Sequence, residues 1–474
     1  YLYMQKTKMI FTIGPASDNE DMIRKFIEIG MSAARLNFSH GTHETHKEKI
    51  DLIKKVREEM GASTAIVLDI KGPKIRTHNF VNGGVQLIAG QDFSFICGEE
   101  ILGDNTKCSI SYDVLYKDVK PGGRILVDDG LLKFEVVQVV DKEIKCKVIV
   151  GGMIKNHKGV NVPNVVIKLP SITEKDIDDI KFGCEMGVDF IAASFIRKAS
   201  DILEVKKVLR KYGGENIQVI AKIENQEGVD NIDSIIDVTD CVMVARGDMG
   251  VEIPIEKVPI IQKMIIKKCN KAGKPVITAT QMLDSMIRNS LPTRAEASDI
   301  CNAIFDGTDA IMLSGESASG SFPKEAAETM ARIAQEAEAN LEYEHLKTIS
   351  NEILSDYADA ISFSTCRTSI ALNAKAIVAA TKSGATASLI SKYRPKCPII
   401  AITPFDSVRR QLSLTFGVQP KTCEMFNNTD DILIEAKKTV YDLGIAKRGD
   451  DIIVAAGMPT TQDGGTNMMK IEKL

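Results

Sequence analysis

Short apolar runs recur along the chain, and each is followed by a polar or glycine-containing corner and then by an amphipathic stretch. The runs are rich in Val, Ile and Ala, which is typical of buried strands, whereas the amphipathic stretches have the pattern of helices. Strands that alternate with helices predict right-handed βαβ units around a parallel sheet. Strands are predicted at residues 8–13, 33–38, 65–69, 189–193, 217–222, 241–245, 275–279 and 309–313.

The intervening helices complete the pattern of a (β/α)₈ TIM barrel, an α/β fold whose core needs about 250 residues. Helices are predicted at residues 42–60, 174–187, 200–212, 256–272, 294–305 and 323–339. We assign the barrel to residues 1–72 and 171–345.

Two further regions interrupt or follow this alternation. Residues 73–170 separate the third and fourth strands and alternate β-type runs with Gly-Gly, Asp-Asp-Gly and Asn-Gly turns, which predicts an inserted small β-barrel domain at the catalytic rim. A domain at that place can act as a lid.

The alternation of strands and helices restarts in residues 346–474, with strands predicted at 376–380, 399–403 and 451–455. It indicates a C-terminal α/β domain with a mixed or parallel sheet.

Composition narrows the class of protein. The 474 residues carry a formal net charge of -4, so no basic field favours nucleic-acid binding. The ten cysteines include no Cys-x-x-Cys pair and fit a reducing cytosol, and no apolar run has the length of a membrane-spanning helix. We therefore expect a cytoplasmic enzyme with no nucleic-acid or membrane partner.

Charged and hydroxyl side chains follow the predicted strands, and the chemistry of a (β/α)₈ barrel lies at those strand ends. Carboxylates after two successive strands can hold a hard divalent cation, and a lysine beside it can face an anionic substrate. The strand ends supply Arg35, Asn37, Ser39, Asp69, Lys71, Ser194, Lys222, Glu224, Arg246, Asp248, Thr280, Ser314 and Glu316. Together they predict a pocket for an anion and a metal ion.

Structural interpretations compete with these assignments one residue at a time. Arg35, Lys222 or Asp248 alone fits a salt bridge at the barrel rim, and Thr280 alone fits a helix N-cap or a turn. His40, His43 and His46 lie at a junction between a loop and a helix, where solvated histidines are more common than metal ligands. The chain has no Walker A loop and no Gly-x-Gly-x-x-Gly after a strand, so a nucleotide would be held by side chains and metal.

The strand-end motifs closely resemble those of the pyruvate kinase family over essentially the whole chain. The motifs are TIGPAS (12–17), RLNFSHG (35–41), LDIKGP (68–73), KIEN (222–225), ARGDMG (245–250), TATQML (278–283), PTRAE (292–296) and MLSGE (312–316). The resemblance implies a homotetramer and phosphoryl transfer from phosphoenolpyruvate to ADP, which gives pyruvate and ATP.

The resemblance also implies a role for each matching residue. Glu224 and Asp248 match the ligands of Mg²⁺ or Mn²⁺, and Lys222 matches the lysine that stabilises the transferring phosphoryl group and the enolate. Further matches are Arg35 for the phosphate, Thr280 for enolate protonation, Ala245, Arg246 and Gly247 for the substrate carboxylate, and Arg76, Lys158, Asn37 and His40 for the nucleotide.

One departure from the family pattern concerns K⁺. Members that need K⁺ carry a glutamate where this chain has Lys74, and their site would here involve Asn37, Ser39, Asp69 and the carbonyl of Ile70. An ammonium nearby can supply the positive charge internally and repel a second cation. We expect an enzyme that works without K⁺.

A second departure concerns the effector. A loop between a predicted strand and a helix contains Thr381, Lys382, Ser383, Gly384 and Thr386. Its hydroxyl and backbone N–H groups are suited to hold a phosphate. The loop resembles the one that holds one phosphate of a sugar bisphosphate in regulated members. The later loop at 457–465 lacks the Trp and Arg that often hold the other phosphate. We expect a monophosphate effector or none, rather than fructose 1,6-bisphosphate.

Two other functions remain open at this point. A metal-dependent lyase or aldolase acting on pyruvate enolates would share Glu224 and Asp248 but gives no reason for the lid, Arg76 or Lys158. A catalytically silent sugar-phosphate sensor or nucleic-acid binder would need a missing catalytic group or a basic face, and the chain shows neither.

Overall fold

The first barrel strands form where the alternation predicts them in the computed structural model, which describes residues 4–343, 354, 356–458 and 465–474. Asn19 and Thr42 cap the first two helices by accepting hydrogen bonds from backbone N–H groups of the first turn. The elements before the insert are β1 (Lys8–Thr12), α1 (Glu20–Ile29), β2 (Met31–Asn37), α2 (His43–Glu59) and β3 (Ala65–Asp69).

The insert is built from β-strands, as its turns predict, with two short 3₁₀ turns at Val81–Gly83 and Leu115–Lys117. Its strands are β4 (Ile75–Arg76), β5 (Gly84–Leu87), β6 (Asp92–Ile96), β7 (Lys107–Ser109), β8 (Arg124–Val127), β9 (Leu132–Val140), β10 (Glu143–Val150), β11 (Gly152–Lys155) and β12 (Gly159–Asn161). Seven of them form one sheet in the order β4-β12-β8-β9-β10-β6-β7, and β5 pairs with β11. A bridge between Thr77 and Ile110 joins the two edges, so the sheet curls around its own apolar core.

The chain then returns to complete the barrel. It adds α3 (Glu174–Met186), β13 (Phe190–Ala193), α4 (Ala199–Lys211), β14 (Gln218–Ile223), α5 (Gln226–Asp230), α6 (Ile232–Val238), β15 (Cys241–Ala245), α7 (Arg246–Glu252), α8 (Val258–Ala272), β16 (Val276–Ala279), α9 (Arg294–Asp306), β17 (Ala310–Leu313), α10 (Gly315–Ala318) and α11 (Pro323–Ala339). The closed order is β1-β17-β16-β15-β14-β13-β3-β2, all parallel, which confirms the predicted (β/α)₈ barrel.

The C-terminal domain has a five-stranded mixed sheet. Its elements are α12 (Tyr357–Ala371), β18 (Ala376–Ala380), α13 (Ala385–Lys392), β19 (Ile399–Thr403), α14 (Asp406–Gln411), β20 (Val418–Thr422), α15 (Thr429–Asp442), β21 (Asp451–Ala456) and β22 (Met468–Lys473). The order is β20-β19-β18-β21-β22, with only β22 antiparallel to its neighbour. The two outermost strands were not predicted, because each is short or polar and has one partner, as edge strands do.

The floor of the barrel is closed by a residue from the C-terminal domain. Leu414 is 0% exposed and packs into the same apolar cluster as inward-facing barrel residues such as Ile10, Val67 and Phe190. It lies in a 3₁₀ turn, Leu412–Leu414, that follows α14. The barrel interior therefore depends on a side chain that is distant in sequence.

Buried charges hold the same junction. Asp309 accepts from Arg394 Nη2 at 3.1 Å and from the backbone N–H of Phe416 at 3.0 Å. Lys8 Nζ, at the start of β1, donates to the carbonyl of Val418 at 2.5 Å, and burial lowers the pKa of Lys8 to about 8. These contacts fix the C-terminal domain against the N-terminal ends of the barrel strands, opposite the rim where chemistry is expected.

The state of the cysteines and the character of the helices match what the cysteine spacing and the apolar runs predict for the described residues. All ten cysteines are free thiols, and burial raises the pKa of several of them, including Cys108, Cys241 and Cys366. Within the described part of the chain, no helix combines the length and apolar character needed to cross a bilayer.

Replacing Leu414 with alanine should lower the free energy of unfolding by about 2–5 kcal/mol, because the cavity opens in a core that cannot collapse onto it. Leu414→Met, which keeps the volume, should cost less than about 1.5 kcal/mol. Denaturant titration monitored by circular dichroism measures both. Equal stability of the two variants would show that Leu414 does not fill the barrel floor.

Candidate active site

Asp69, the last residue of β3, joins two cations at the centre of the barrel mouth. Its Oδ2 lies 2.7 Å from Arg35 Nε, and its Oδ1 lies 3.1 Å from Lys222 Nζ. All three side chains are largely buried, with Asp69 1% exposed. Burial raises the pKa of Asp69, but Lys222 and Arg35 outweigh burial and hold that pKa below its ordinary value. The shared carboxylate thus fixes the two cationic side chains in place at the strand ends.

Lys222 has two further partners. Its Nζ donates to Ser194 Oγ at 3.0 Å and lies 3.5 Å from Glu224 Oε1. Burial lowers the pKa of Lys222, but the carboxylates of Asp69 and Glu224 reverse this and raise it above its ordinary value. A lysine held in this way carries its charge at any physiological pH and presents it to the mouth of the barrel.

Glu224 follows β14 and is 1% exposed. Its Oε2 accepts from the backbone N–H of Phe195 at 2.6 Å. Burial raises the pKa of Glu224 to about 7, and the charge of Asp248 adds to this while Lys222 opposes it. The carboxylate is therefore costly to ionise without additional positive charge nearby.

Asp248 lies on α7, directly after β15, and Lys74 reaches it from the start of the lid. Lys74 Nζ lies 3.6 Å from Asp248 Oδ1 and 3.9 Å from Asp129 Oδ1 of the lid. A second contact joins the same elements, because Asn161 Nδ2 donates to Glu252 Oε1 at 2.7 Å. The lid is thus connected to the helix that carries Asp248.

The start of α7 is fixed by its neighbour strand. Arg246 Nη2 donates to the carbonyl of Thr280 at 2.6 Å, and Nη1 lies 2.7 Å from Asp299 Oδ1. Thr280 Oγ1 accepts from the backbone N–H of Gly247 at 2.7 Å. The hydroxyl of Thr280 therefore satisfies a free N–H in the first turn of α7, which combines the capping interpretation with a place at the strand ends.

Strained backbone accompanies these contacts. Phe195, Thr280 and Gln281 have φ of +55°, +74° and +57°, which side chains other than glycine rarely adopt. Each lies one or two residues beyond the end of a barrel strand. Such conformations cost about 1–3 kcal/mol and occur mainly at functional sites.

A cavity of about 980 Å³ opens beside Arg35 at the ends of β1 and β2. Asn37 and His40, which the resemblance places on the nucleotide side, line it together with Thr12 and His46. His46 is 3% exposed and stacks on Phe38 with ring centroids 4.0 Å apart, so the interpretation of a solvated histidine is wrong for this residue. Its Nε2 bonds the carbonyl of His40 at 2.7 Å and fixes the loop.

His43 remains half-exposed and pairs with Asp179 at 2.7 Å. Among the described residues, one group of three possible metal ligands is close enough together, namely His43, Asp178 and Asp179. Lys175 Nζ lies 2.6 Å from Asp179 Oδ2 and already supplies a cation there. The buried carboxylate of Asp179 is thus already bound by Lys175 and by the ring of His43, which favours a structural network over a metal site.

The residues expected around a monovalent ion are already engaged, either with each other or with neighbouring side chains. Asn37 Oδ1 accepts from the backbone N–H of Ser39 at 3.1 Å, and the carbonyl of Ile70 accepts from Ser194 Oγ at 2.7 Å. Asp69 is occupied by Arg35 and Lys222, as described above. Lys74 faces Asp248 rather than these groups.

Arg76 and Lys158 lie on the lid, beside the β4–β12 pairing in which Arg76 faces Gly159. Arg76 Nη1 donates to the carbonyl of His157 at 2.9 Å, and Lys158 Nζ lies 3.7 Å from Asp128 Oδ1. In the described part of the chain, their hydrogen bonds and ion pairs stay within the lid. The structure therefore brings these two residues together but not into contact with Lys222.

The expected effector loop has the form of a cradle. Thr381 Oγ1 accepts from the N–H of Gly384 at 2.8 Å, and Ser383 Oγ accepts from the N–H of Ala385 at 3.3 Å. Gly384 caps α13 with a φ of +92°. Thr386 Oγ1 lies 2.7 Å from Thr466 Oγ1, and Lys382 lies over the ring of Phe426. Most of the later loop, residues 459–464, lies outside the described residues.

The sequence assigned no role to Ser194 or Thr12, although Ser194 is among the strand-end residues and Thr12 begins the TIGPAS motif. Ser194 bridges Lys222 and the carbonyl of Ile70, and Thr12 Oγ1 accepts from Arg35 Nη1 at 2.9 Å. Their position directly at a strand end is the signal that could have found them. A single hydroxyl at such a corner is too common to be singled out.

This fold defines an enzyme of the TIM-barrel type whose mouth gathers two buried cations and several carboxylates. The family models described as the pyruvate kinase barrel domain and the pyruvate kinase alpha/beta domain match residues 4–327 and 359–472. The chain belongs to the pyruvate kinase family and is a phosphotransferase.

Named relatives and a solved structure agree with this membership. The chain is 67% identical to the pyruvate kinase of Clostridium perfringens over 99% of this chain and 100% of that one. It is 56% identical to the pyruvate kinase of Clostridium acetobutylicum over 99% of each chain. A crystal structure of a pyruvate kinase from Cryptosporidium parvum superposes with a TM-score of 0.93 at 38% identity, covering 99% of this chain and 96% of that one.

Asp69→Asn should destabilise the protein by about 3–5 kcal/mol, because it leaves two buried cations without their shared carboxylate. Asp92→Asn is the matched control, since Asp92 pairs with Lys147 at 2.7 Å on the exposed face of the lid. Its loss should cost less than about 1 kcal/mol. Denaturant unfolding of both variants makes the comparison, and similar losses would contradict the role of Asp69.

Proposed function

We propose that the enzyme transfers the phosphoryl group of phosphoenolpyruvate to ADP and releases pyruvate and ATP. The observation that carries this proposal is the pair of cations, Arg35 and Lys222, held by Asp69 beside the carboxylates of Glu224 and Asp248. Phosphoryl transfer needs positive charge around the transferring group and accurate positioning more than covalent chemistry. The membership of the family supports the same reaction.

Mg²⁺ or Mn²⁺ is the metal we propose for this site, with Glu224 and Asp248 as its protein ligands. The donor set fits, because both are oxygen ligands of the kind that hard cations prefer. Burial raises the pKa of Glu224 to about 7 even though Lys222 lies 3.5 Å away and opposes the rise, so a further cation beside this carboxylate would favour its ionised form. When bound, the cation would neutralise charge on the phosphate and carboxylate of the substrate.

The chain's own residues act on the phosphoryl group and on the enolate. We assign Arg35 to grip the phosphate and Lys222 to stabilise the group in transfer and the developing enolate oxygen. The backbone of Ala245, Arg246 and Gly247 receives the substrate carboxylate. Thr280, whose hydroxyl is fixed by Gly247, lies on the side where we propose that the enolate carbon is protonated.

The nucleotide is assigned to the cavity of about 980 Å³ beside Arg35. Asn37 and His40 line that cavity. Arg76 and Lys158 would reach the nucleotide phosphates from the lid when it closes over the rim. Closure would also exclude water, which otherwise accepts the phosphoryl group.

Lys222→Met should lower kcat by about 10²–10³-fold, on the scale of losing one group that stabilises charge in the transition state. The measurement is pyruvate formation in a coupled assay, with and without ADP. Lys268→Met is the matched control, because Lys268 is a half-exposed barrel lysine paired with Asp233 at 2.7 Å and should leave kcat unchanged.

The same assay separates the alternatives that the sequence left open. Pyruvate formation that requires ADP supports the kinase. Turnover that ignores ADP would favour a lyase acting on pyruvate enolates, and no turnover by the wild-type enzyme would favour a silent binding protein.

We propose that K⁺ is not required. Lys74 Nζ supplies a fixed positive charge 3.6 Å from Asp248, at the border of the barrel mouth and the lid. Its side chain is 18% exposed and passes close to Gly159, whose missing side chain leaves room for it. This tethered ammonium faces Asp248 and not the groups expected around a monovalent ion, so it would supply positive charge to the barrel mouth from the lid side.

Rates in KCl and in tetramethylammonium chloride at the same ionic strength should agree within about twofold for the wild type, since screening is then equal. Lys74→Glu should make the rate depend on KCl, whereas Lys74→Met should lower the rate in both salts. Strong activation of the wild type by KCl would contradict the proposal.

The remaining expectations of the resemblance are kept as proposals. The loop from Thr381 to Thr386 is proposed to hold the phosphate of a monophosphate effector, on the strength of its hydroxyls and of the N–H groups at the start of α13. A cytoplasmic homotetramer is the assembly we propose, on the strength of the family alone.

A further inference from the structure

A cavity of about 430 Å³ lies between the base of the barrel and the C-terminal domain, and none of its lining residues is among those assigned above. Four cationic side chains line it, two from each domain. Lys54 and Arg57 come from α2 of the barrel, and Arg409 and Arg410 come from α14 of the C-terminal domain. All four are partly buried rather than fully solvated.

Several of their donors have no protein partner. Arg410 Nε lies 2.8 Å from Asp189 Oδ1, but neither terminal nitrogen of Arg410 donates to any described residue. Arg57 Nη1 donates to the carbonyl of Thr64 at 3.0 Å, while its Nε and Nη2 make no hydrogen bond within the described residues. Guanidinium groups with free donors at a cavity wall are suited to bind an oxyanion.

Arg409 and Lys54 are positioned by backbone carbonyls. Arg409 Nη2 donates to the carbonyl of Gly61 at 2.7 Å, and its Nη1 has only Asp406 Oδ1 at 3.9 Å. Lys54 Nζ donates to the carbonyl of Met186. Because carbonyls are neutral, they orient these cations without cancelling their charge, and the wall of the cavity stays positive.

Three carboxylates lie in or beside this cavity, but they do not neutralise the positive charge of its wall. Asp189 is 3% exposed and is shared by Arg410 and, at 3.6 Å, by Arg57. Glu58 and Asp406 line the cavity as well, but both are exposed at its rim. The wall of the cavity is thus more positive than its entrance.

The cations also repel one another. Burial, followed by the charge of Arg57, lowers the pKa of Lys54. Burial is likewise the main cause that lowers the pKa of Arg57 and of Arg409, and Arg410 adds to it in both cases. An anion among them would offset both effects.

We propose that this cavity is a binding site for a phosphate group, taken either as free inorganic phosphate or as a small phosphate monoester. A dianion of this size fits the cavity, matches the forked donors of the arginines and is held by charges from both domains. The site is separate from the mouth of the barrel and from the loop at Thr381. Because its two halves lie on different domains, an anion bound here stabilises their docked arrangement.

The test is the thermal stability of the full chain in increasing inorganic phosphate, against chloride at the same ionic strength. Substrate sites also bind phosphate, so the comparison is made among variants. Lys54→Gln and Arg409→Gln should each weaken the apparent affinity for phosphate about tenfold, the factor for one charge-assisted hydrogen bond.

Lys55→Gln is the matched control, since Lys55 is the next residue of the same helix but pairs with Glu20 at 3.1 Å on another face. Lys55→Gln should respond to phosphate like the wild type. Lys382→Gln removes charge from the loop at Thr381 and measures the share of the response that belongs to that loop, which leaves the share lost in Lys54→Gln and Arg409→Gln to the cavity. Repeating the titration with glucose 6-phosphate separates the two sources, because a monoester site responds at lower concentration to the ester than to inorganic phosphate.

A wild type whose stability ignores both ligands would overturn the proposal. An undiminished response in both Lys54→Gln and Arg409→Gln would overturn it too, because the phosphate would then be acting elsewhere. Circular dichroism and activity without phosphate show that each variant is folded, so a lost response reports on binding.

Discussion

The catalytic end of this protein depends on one buried carboxylate. Asp69 joins Arg35 and Lys222, which come from different strands, and thereby sets the spacing of the two positive charges that face the substrate. Two cations so close in a largely dry environment would repel strongly without it. Ser194, Thr12 and the backbone N–H of Phe195 then orient the remaining donors and acceptors. The site is therefore a network in which no charged group is positioned alone.

The lid and the C-terminal domain act on this network from opposite ends of the barrel. At the mouth, Lys74 and Asn161 connect the lid to α7, which carries Asp248. At the base, Asp309 and Asp189 receive arginines from the C-terminal domain. The contacts at the mouth follow β15, and those at the base precede β13 and β17, so the two domains are fixed at opposite ends of one parallel barrel.

Much of the fold follows from pattern alone. The strands at Ala65–Asp69 and Cys241–Ala245 have the predicted bounds, because a strand buried on both faces reads as an uninterrupted apolar run. Because those apolar runs mark where each strand ends, the charged residues that follow them could also be predicted as site residues. The edge strand Val418–Thr422 contains a proline and polar residues and gives no such signal. The stacking of His46 on Phe38 and the pairing of Lys74 with Asp248 depend on tertiary contacts, which local sequence does not encode.

The position of Leu414 has a consequence for how the chain folds during synthesis. The last barrel helix ends at Ala339, yet the side chain that closes the barrel floor lies some seventy-five residues further on. A ribosome adding about 5–20 residues per second leaves the barrel with an open base for several seconds. Through that interval the apolar interior near Ile10 and Phe190 is reachable by chaperones, or by the floor residues of another nascent copy. The barrel is thus the first domain to begin to emerge, but its floor closes only after α14 of the C-terminal domain has followed.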